Sequence, residues 1–398
     1  MEQAWGDASV WIGLAFLASL IAHKTRTSVA LVELCLGIGA GALVGPHLTP
    51  WVQFLSALGA VVLTFLAGAE LEKEVLRRYW KESLAIGTAS FLAPFLACGW
   101  AARFFLHWSS DAAWIAGIAL STTSVAVVYA VMLESGLNEE PIGKLILAAC
   151  FVTDLGTVLT LSLRFSSLGW PFWTFAVLTA VALPIACRLA SAVLRVFGGT
   201  HIGEPEARYL WWVLAVFAWL AVRGGSEAVL PAYLAGVLLA DTVQTHREFT
   251  RKVRSTVFGL LTPFYFLKAG VLVDVRSVWA LRWIVVFLIV AKGIAKWTGV
   301  YPVARWFRFP SDVSAYTALL MSTGLTFGTI ASLYGYNRHI LSKAQYSVLV
   351  TAIILSAIVP TLVAQGLFGR RLTRRPAEVP SPSLTQSGLS GPAPQPEE

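Results

Sequence analysis

The sequence predicts an all-α polytopic membrane protein of about thirteen transmembrane helices arranged as inverted repeats. Three observations predict it: the scarcity of charge, the length of the apolar runs, and two short motifs that recur seven spans apart. Of the 398 residues, 57% are apolar and 13% charged, with a mean hydropathy of +0.69. A soluble domain carries about 25% charged residues. The apolar residues fall in runs of the ~20 residues that a helix needs to cross a hydrocarbon core about 30 Å thick.

Taken in order, the runs lie near 8–23, 28–46, 52–70, 84–106, 112–133, 143–164, 171–197, 208–223, 226–241, 255–273, 279–303, 312–335 and 343–368. The first has no basic leader and no A-x-A cleavage site, so it reads as a retained helix rather than a signal peptide. The eighth and ninth are separated only by the short turn Arg223-Gly-Gly-Ser-Glu227. Residues 1–370 therefore read as one transmembrane domain. The remainder, 371–398, is rich in Pro, Ser and Gly and reads as a disordered cytoplasmic tail.

Charge fixes the orientation. An odd number of spans puts the termini on opposite sides, and Arg370, Arg371, Arg374 and Arg375 place the C-terminus in the cytoplasm. On that topology 20 of the 30 Lys and Arg residues are cytoplasmic, seven are outside and three lie within spans. The cytoplasmic set includes His23 to Arg26, Glu72 to Glu82 and Arg247 to Arg254. The formal charge of +8 is thus a topology signal, and nucleic acid is not an expected partner.

The repeat rests on two matches. Ser121-Thr-Thr-Ser-Val-Ala in span five pairs with Ser322-Thr-Gly-Leu-Thr-Phe in span twelve, and Phe65-Leu-Ala-Gly-Ala-Glu-Leu in span three with Phe266-Leu-Lys-Ala-Gly-Val-Leu in span ten. Both are offset by seven spans, and an odd offset inverts one copy against the other, as in many secondary transporters.

Polar groups at mid-bilayer are costly and usually functional. Thr122 and Thr123, Asp154, Lys268, and Ser322, Thr323 and Gly324 fall near the centres of their spans. The small and hydroxylated stretches in spans five and twelve suggest broken helices, which expose backbone carbonyls where ions bind. A lone carboxylate there holds either a cation or a proton, the competition that ion-coupled exchange requires. Lys292 and Lys296, spaced i, i+4 toward the cytoplasmic end of span eleven, read as snorkelling or lipid-headgroup contacts. Glu70 and Glu72 close span three and read as interfacial. The six histidines sit in or beside loops, and Cys35, Cys98, Cys150 and Cys187 have no C-x-x-C spacing, so neither a metal centre, zinc nor disulfides are expected. No cofactor is expected. The mid-span inventory offers no paired-Asp, Ser–Lys or His/Glu constellation for an intramembrane enzyme, and no repeated pore motif for a channel.

Four segments, Leu120-Ser-Thr-Thr-Ser-Val-Ala-Val-Val128, Phe151-Val-Thr-Asp-Leu155, Phe264-Tyr-Phe-Leu-Lys-Ala-Gly270 and Thr323-Gly-Leu-Thr-Phe-Gly-Thr-Ile330, together resemble the monovalent cation/proton antiporter superfamily, the sodium–proton exchangers. The resemblance runs from about residue 8 to 368. It implies two discontinuous helices crossing beside an ion-binding aspartate, in a core (helices within 84–164 and 255–335) that moves against a dimerisation domain, and hence a homodimer in contact with membrane lipid. It places Asp154 as the ion- and proton-binding carboxylate. Thr122, Thr123 and Ser124 fall at the first unwound stretch, and Thr323, Gly324 and Thr326 at the second. Electrogenic members have two adjacent aspartates and many electroneutral members Asn-Asp; here Thr153 precedes Asp154 and is expected to help coordinate the cation. Lys268 matches the lysine that electrogenic members pair with the first aspartate, and is expected to support the site. The implied function is exchange of a monovalent cation, sodium or lithium first, for protons across a prokaryotic inner membrane. Potassium–proton exchange and sodium-coupled uptake of an organic solute are the alternatives.

Overall fold

The computed structural model describes residues 2–364 apart from 26–27, 71–77, 126, 129–130, 133–136, 138–139, 166–168 and 198–203. The expected tail, 371–398, lies outside the described residues. The helices are α1 (Glu2–Thr25), α2 (Val29–Leu43), α3 (Pro50–Ala69), α4 (Trp80–Phe104), α5 (Ser110–Ser121), α6 (Pro141–Phe165), α7 (Trp170–Phe197), α8 (Pro205–Arg223), α9 (Val229–Thr245), α10 (Arg247–Thr256), α11 (Thr262–Val271), α12 (Val275–Ala280), α13 (Arg282–Trp306), α14 (Ser311–Met321), α15 (Thr326–Asn337) and α16 (Lys343–Ala364). Among the described residues, eight of the spans are long and apolar enough to cross a bilayer as they stand, counting α14 and α15 as one, and α2 and α9 are shorter apolar helices. Trp170, Trp279, Trp283 and Trp306 are exposed near helix ends, where amphipathic aromatic rings sit at the headgroup level of a bilayer. The chain is an integral, multi-pass membrane protein.

Local chemistry sets the breaks. Span five stops at Ser121 because Thr122 is extended, with φ −63° and ψ 153°; helix resumes at residues 125 and 127–128. Span twelve stops at Met321 and resumes at Thr326. The broken helices expected at these two places are present. Span ten carries a third irregularity, a π-helical turn over Val257–Leu261. Pro263 has no N–H to give residue 259, which loosens the α-helical ladder there, and the hydroxyl of Thr262 donates to the Val257 carbonyl at 2.9 Å.

Two bundles result. Helices α4, α5 and α6 pack with α13, α14, α15 and α16, while α1, α2, α3, α7, α8, α9 and α11 pack among themselves. Residues 84–164 thus fall in one bundle with most of 282–335. The segment 247–271, by contrast, packs along α2, α3 and α9.

Between helices in lipid there is little hydrophobic drive, so small residues that let backbones approach do the packing. Gly68 of α3 meets Gly236 of α9, and Gly37 of α2 meets Gly270 of α11; a Cβ on Gly236 or on Gly37 would stand only 3.0 Å from the opposing glycine Cα. Exchanging spans two with nine and three with ten maps one crossing onto the other. The seven-span repeat is therefore expressed in the packing as well as in the motifs.

Candidate functional site

The two breaks cross each other. Each is held at its own helix end by hydroxyls that bond back to carbonyls of the last turn, the habit by which Ser and Thr compete with the helical ladder. Ser121 donates to the Ile118 carbonyl and Thr122 to Ala119 in α5; Ser322 donates to Ala318 and Thr323 to Leu320 in α14. Direct bonds then join the breaks. The Ser124 N–H donates to the Thr323 carbonyl at 3.1 Å, and the Thr123 hydroxyl donates to the Met321 carbonyl at 2.8 Å. The Ser124 hydroxyl also caps the next half-helix, accepting from the Val127 N–H at 3.4 Å. Gly324 leaves no room for a side chain, since a Cβ would run into the Lys292 ammonium and stand 3.1 Å from the Thr122 hydroxyl.

Two ammonium groups enter the crossing from α13. Lys296 Nζ donates to Ser90 Oγ at 2.7 Å and to Thr123 Oγ1 at 2.9 Å. Because Thr123 passes its own proton to the Met321 carbonyl, the chain ties a cation to the negative C-terminal end of α14. Lys292 Nζ donates to Ser356 Oγ on α16 at 2.9 Å. Lys296 is 0% and Lys292 1% exposed, which overturns the snorkelling expectation. Lys296 stands ten residues from the end of α13, about 15 Å at 1.5 Å per residue, too deep for its head to reach the interface. Hydropathy could not show this, because the partners are supplied by α4, the break after α5, and α16.

Asp154 lies midway along α6, 1% exposed, and its Oδ1 is buried with no hydrogen-bond partner among the described residues. Among the described residues, Lys296 and Glu70 are charges within electrostatic reach of it. Tyr233 of α9 donates to the Phe151 carbonyl at 3.0 Å, one turn from Asp154. A cavity of about 540 Å³ reaches this point: Asp154, Thr123 and Thr326 line it, together with Glu33, Glu70, Ser28 and Ser255. Ser28 and Ser255 adjoin the basic segments 23–26 and 247–254, so the cavity opens on the face that bears them. The π-turn residues Phe258 and Gly259 also line it, and such irregular turns are frequent at functional sites.

The other residues singled out by sequence divide into two groups. Thr122, Ser124, Thr323, Gly324 and Thr326 belong to the crossing. Thr153 is buried with its hydroxyl turned to α4, 3.1 Å from the Ala149 carbonyl and 3.3 Å from that of Gly87. Lys268 is on α11, in the other bundle, and its ammonium makes no hydrogen bond or ion pair among the described residues. Glu70 is ion-paired with Arg254, and Glu72 lies outside the described residues. Sequence reasoning passed over Ser90, Ser356 and Glu33; of these only Glu33 left a signal, being the one acidic residue within the apolar helix Val29–Leu43.

The family model described as "Sodium/hydrogen exchanger, transmembrane" matches residues 12–368. YjbQ of Bacillus subtilis is 24% identical over 392 residues, which cover 90% of this chain and 62% of that protein, so the chain spans less than two-thirds of that relative. The Na(+)/H(+) antiporter NhaS4 of Synechocystis is also 24% identical, with 90% of this chain and 94% of the relative covered. Among solved structures, the sodium proton antiporter MjNhaP1 of Methanocaldococcus jannaschii shares the fold, with a TM-score of 0.70 at 13% identity, over 94% of this chain and 100% of that one.

Proposed function

The chain belongs to the sodium/hydrogen exchanger family, and on that premise we propose that it exchanges a monovalent cation, sodium or lithium, for protons at Asp154. One observation carries the reading: a cavity open on the basic face reaches Asp154, whose buried Oδ1 has no hydrogen-bond partner among the described residues, beside two crossed helix breaks. A buried carboxylate in that setting is neutralised by a proton or by a counter-ion, and the cavity admits both. The cation enters from the cytoplasmic side, displaces the proton of Asp154 and is held by that carboxylate, with Thr123 and Thr326 on the cavity wall. Lys296 is the supporting charge, since it braces the crossing through Thr123 and lies within electrostatic reach of Asp154. Thr153 contributes by fixing α6 against α4 rather than by coordination.

Neutralising Asp154 lowers the cost of carrying the site through the low-dielectric barrier, where an uncompensated charge costs several kcal/mol. The bundle of α4–α6 and α13–α16 then moves against the other bundle, which joins two copies into a homodimer surrounded by lipid. The protein works in a prokaryotic inner membrane with its C-terminus in the cytoplasm. Proteoliposomes with a pH gradient and an internal pH dye test this reading. Sodium or lithium chloride should dissipate the gradient, and choline chloride should not. Indifference to every monovalent cation, or a response that needs an organic solute, would overturn it.

A further inference from the structure

Glu33 has no part in the exchange step described above. It is 1% exposed on α2, and its Oε2 is buried with no hydrogen-bond partner among the described residues. It lines the same cavity as Asp154. The third carboxylate there, Glu70, is already ion-paired with Arg254. Depth separates the other two. Glu33 is five residues past Ser28, about 7.5 Å into the span, whereas Asp154 is thirteen residues past Pro141, about 20 Å in from the same face.

We propose that Glu33 is a staging site for the entering monovalent cation, between the cavity mouth and Asp154. The inference rests on the reading of Asp154 as the exchange site. A cation moving into a narrowing, low-dielectric passage loses hydration before it reaches its final ligand, and a negative group on the way offsets that loss. A carboxylate at this depth, with one oxygen unpartnered among the described residues, has the required chemistry. Its contribution falls on capture of the cation rather than on the movement that follows, so it is read in apparent affinity.

Sodium-driven proton movement in proteoliposomes separates the possibilities. Glu33→Gln keeps size and shape and removes the charge. It should raise the apparent KM for sodium about tenfold, the equivalent of 1.4 kcal/mol, with the maximal rate little changed. Glu33→Asp should fall between that variant and the wild type. A KM unchanged in Glu33→Gln, or a loss confined to the maximal rate, would overturn the staging role while Asp154→Asn remained silent. Activity in Asp154→Asn would instead overturn the exchange site itself. A second measurement needs no variant: a hydrophobic carbodiimide that modifies buried carboxyls is applied to the wild type, and Glu33 is followed by peptide mass spectrometry. Sodium chloride, but not choline chloride, should slow modification of Glu33. Equal modification in the two salts would contradict the proposal.

Discussion

Asp154→Asn abolishes cation-dependent proton movement, lowering it at least ~100-fold, or roughly 2.7 kcal/mol of barrier, while the protein still inserts and folds. The carboxamide fills the same space on α6. It cannot release a proton at working pH, and it cannot neutralise a bound cation. The wild-type Oδ1 makes no hydrogen bond among the described residues, so the substitution breaks no packing bond at that atom. A fluorescence quench assay in everted vesicles, read beside a size-exclusion profile of the same preparation, separates lost transport from lost fold. Retained exchange in a monodisperse variant would remove Asp154 from the mechanism.

The second large effect belongs to Lys296. Replacement by alanine removes both hydrogen bonds of its ammonium and leaves Ser90 and Thr123 facing a void. Loss of a buried hydrogen-bond partner costs about 1–3 kcal/mol, so the thermal midpoint should fall. Exchange should drop about tenfold or more, because the crossing loses the cation that anchors Thr123 to the end of α14. Lys296→Gln is one atom shorter and keeps a donor nitrogen but not the charge. It should recover much of the thermal stability and little of the exchange. Lys268→Met provides the contrast, since Lys268 stands in the other bundle, and it should leave exchange near the wild-type rate. Equal losses for Lys296→Gln and Lys268→Met would show that neither acts through Asp154.

Some of this was legible without coordinates, for identifiable reasons. The spans are visible because a bilayer demands long apolar runs, and the breaks because hydroxyls clustered in an apolar run bond to their own helix ends. Asp154 stands out because a lone carboxylate at mid-span is costly. The crossing was anticipated only through the resemblance to known exchangers: the bonds that make it, such as Thr123 to Met321, join residues nearly two hundred positions apart. The lysines show the limit most clearly. Lys268, Lys292 and Lys296 look alike in sequence, each a cation inside an apolar run. What separates them is which neighbours face them, Ser90, Thr123 and Ser356 for the α13 pair, and hydropathy carries no record of that. Glu33 was passed over because an acidic residue near the start of a span resembles an interfacial one until the cavity beside it is seen.

The central claim is that a cation and a proton compete for Asp154, and proton release on cation binding tests it most directly. Purified protein in weakly buffered detergent solution, with a pH-sensitive dye, receives sodium chloride and, separately, choline chloride. Sodium should release protons in proportion to the protein present, choline should release none, and Asp154→Asn should release none in either salt. Sodium binding without proton release in the wild type, or undiminished release in Asp154→Asn, would contradict the account.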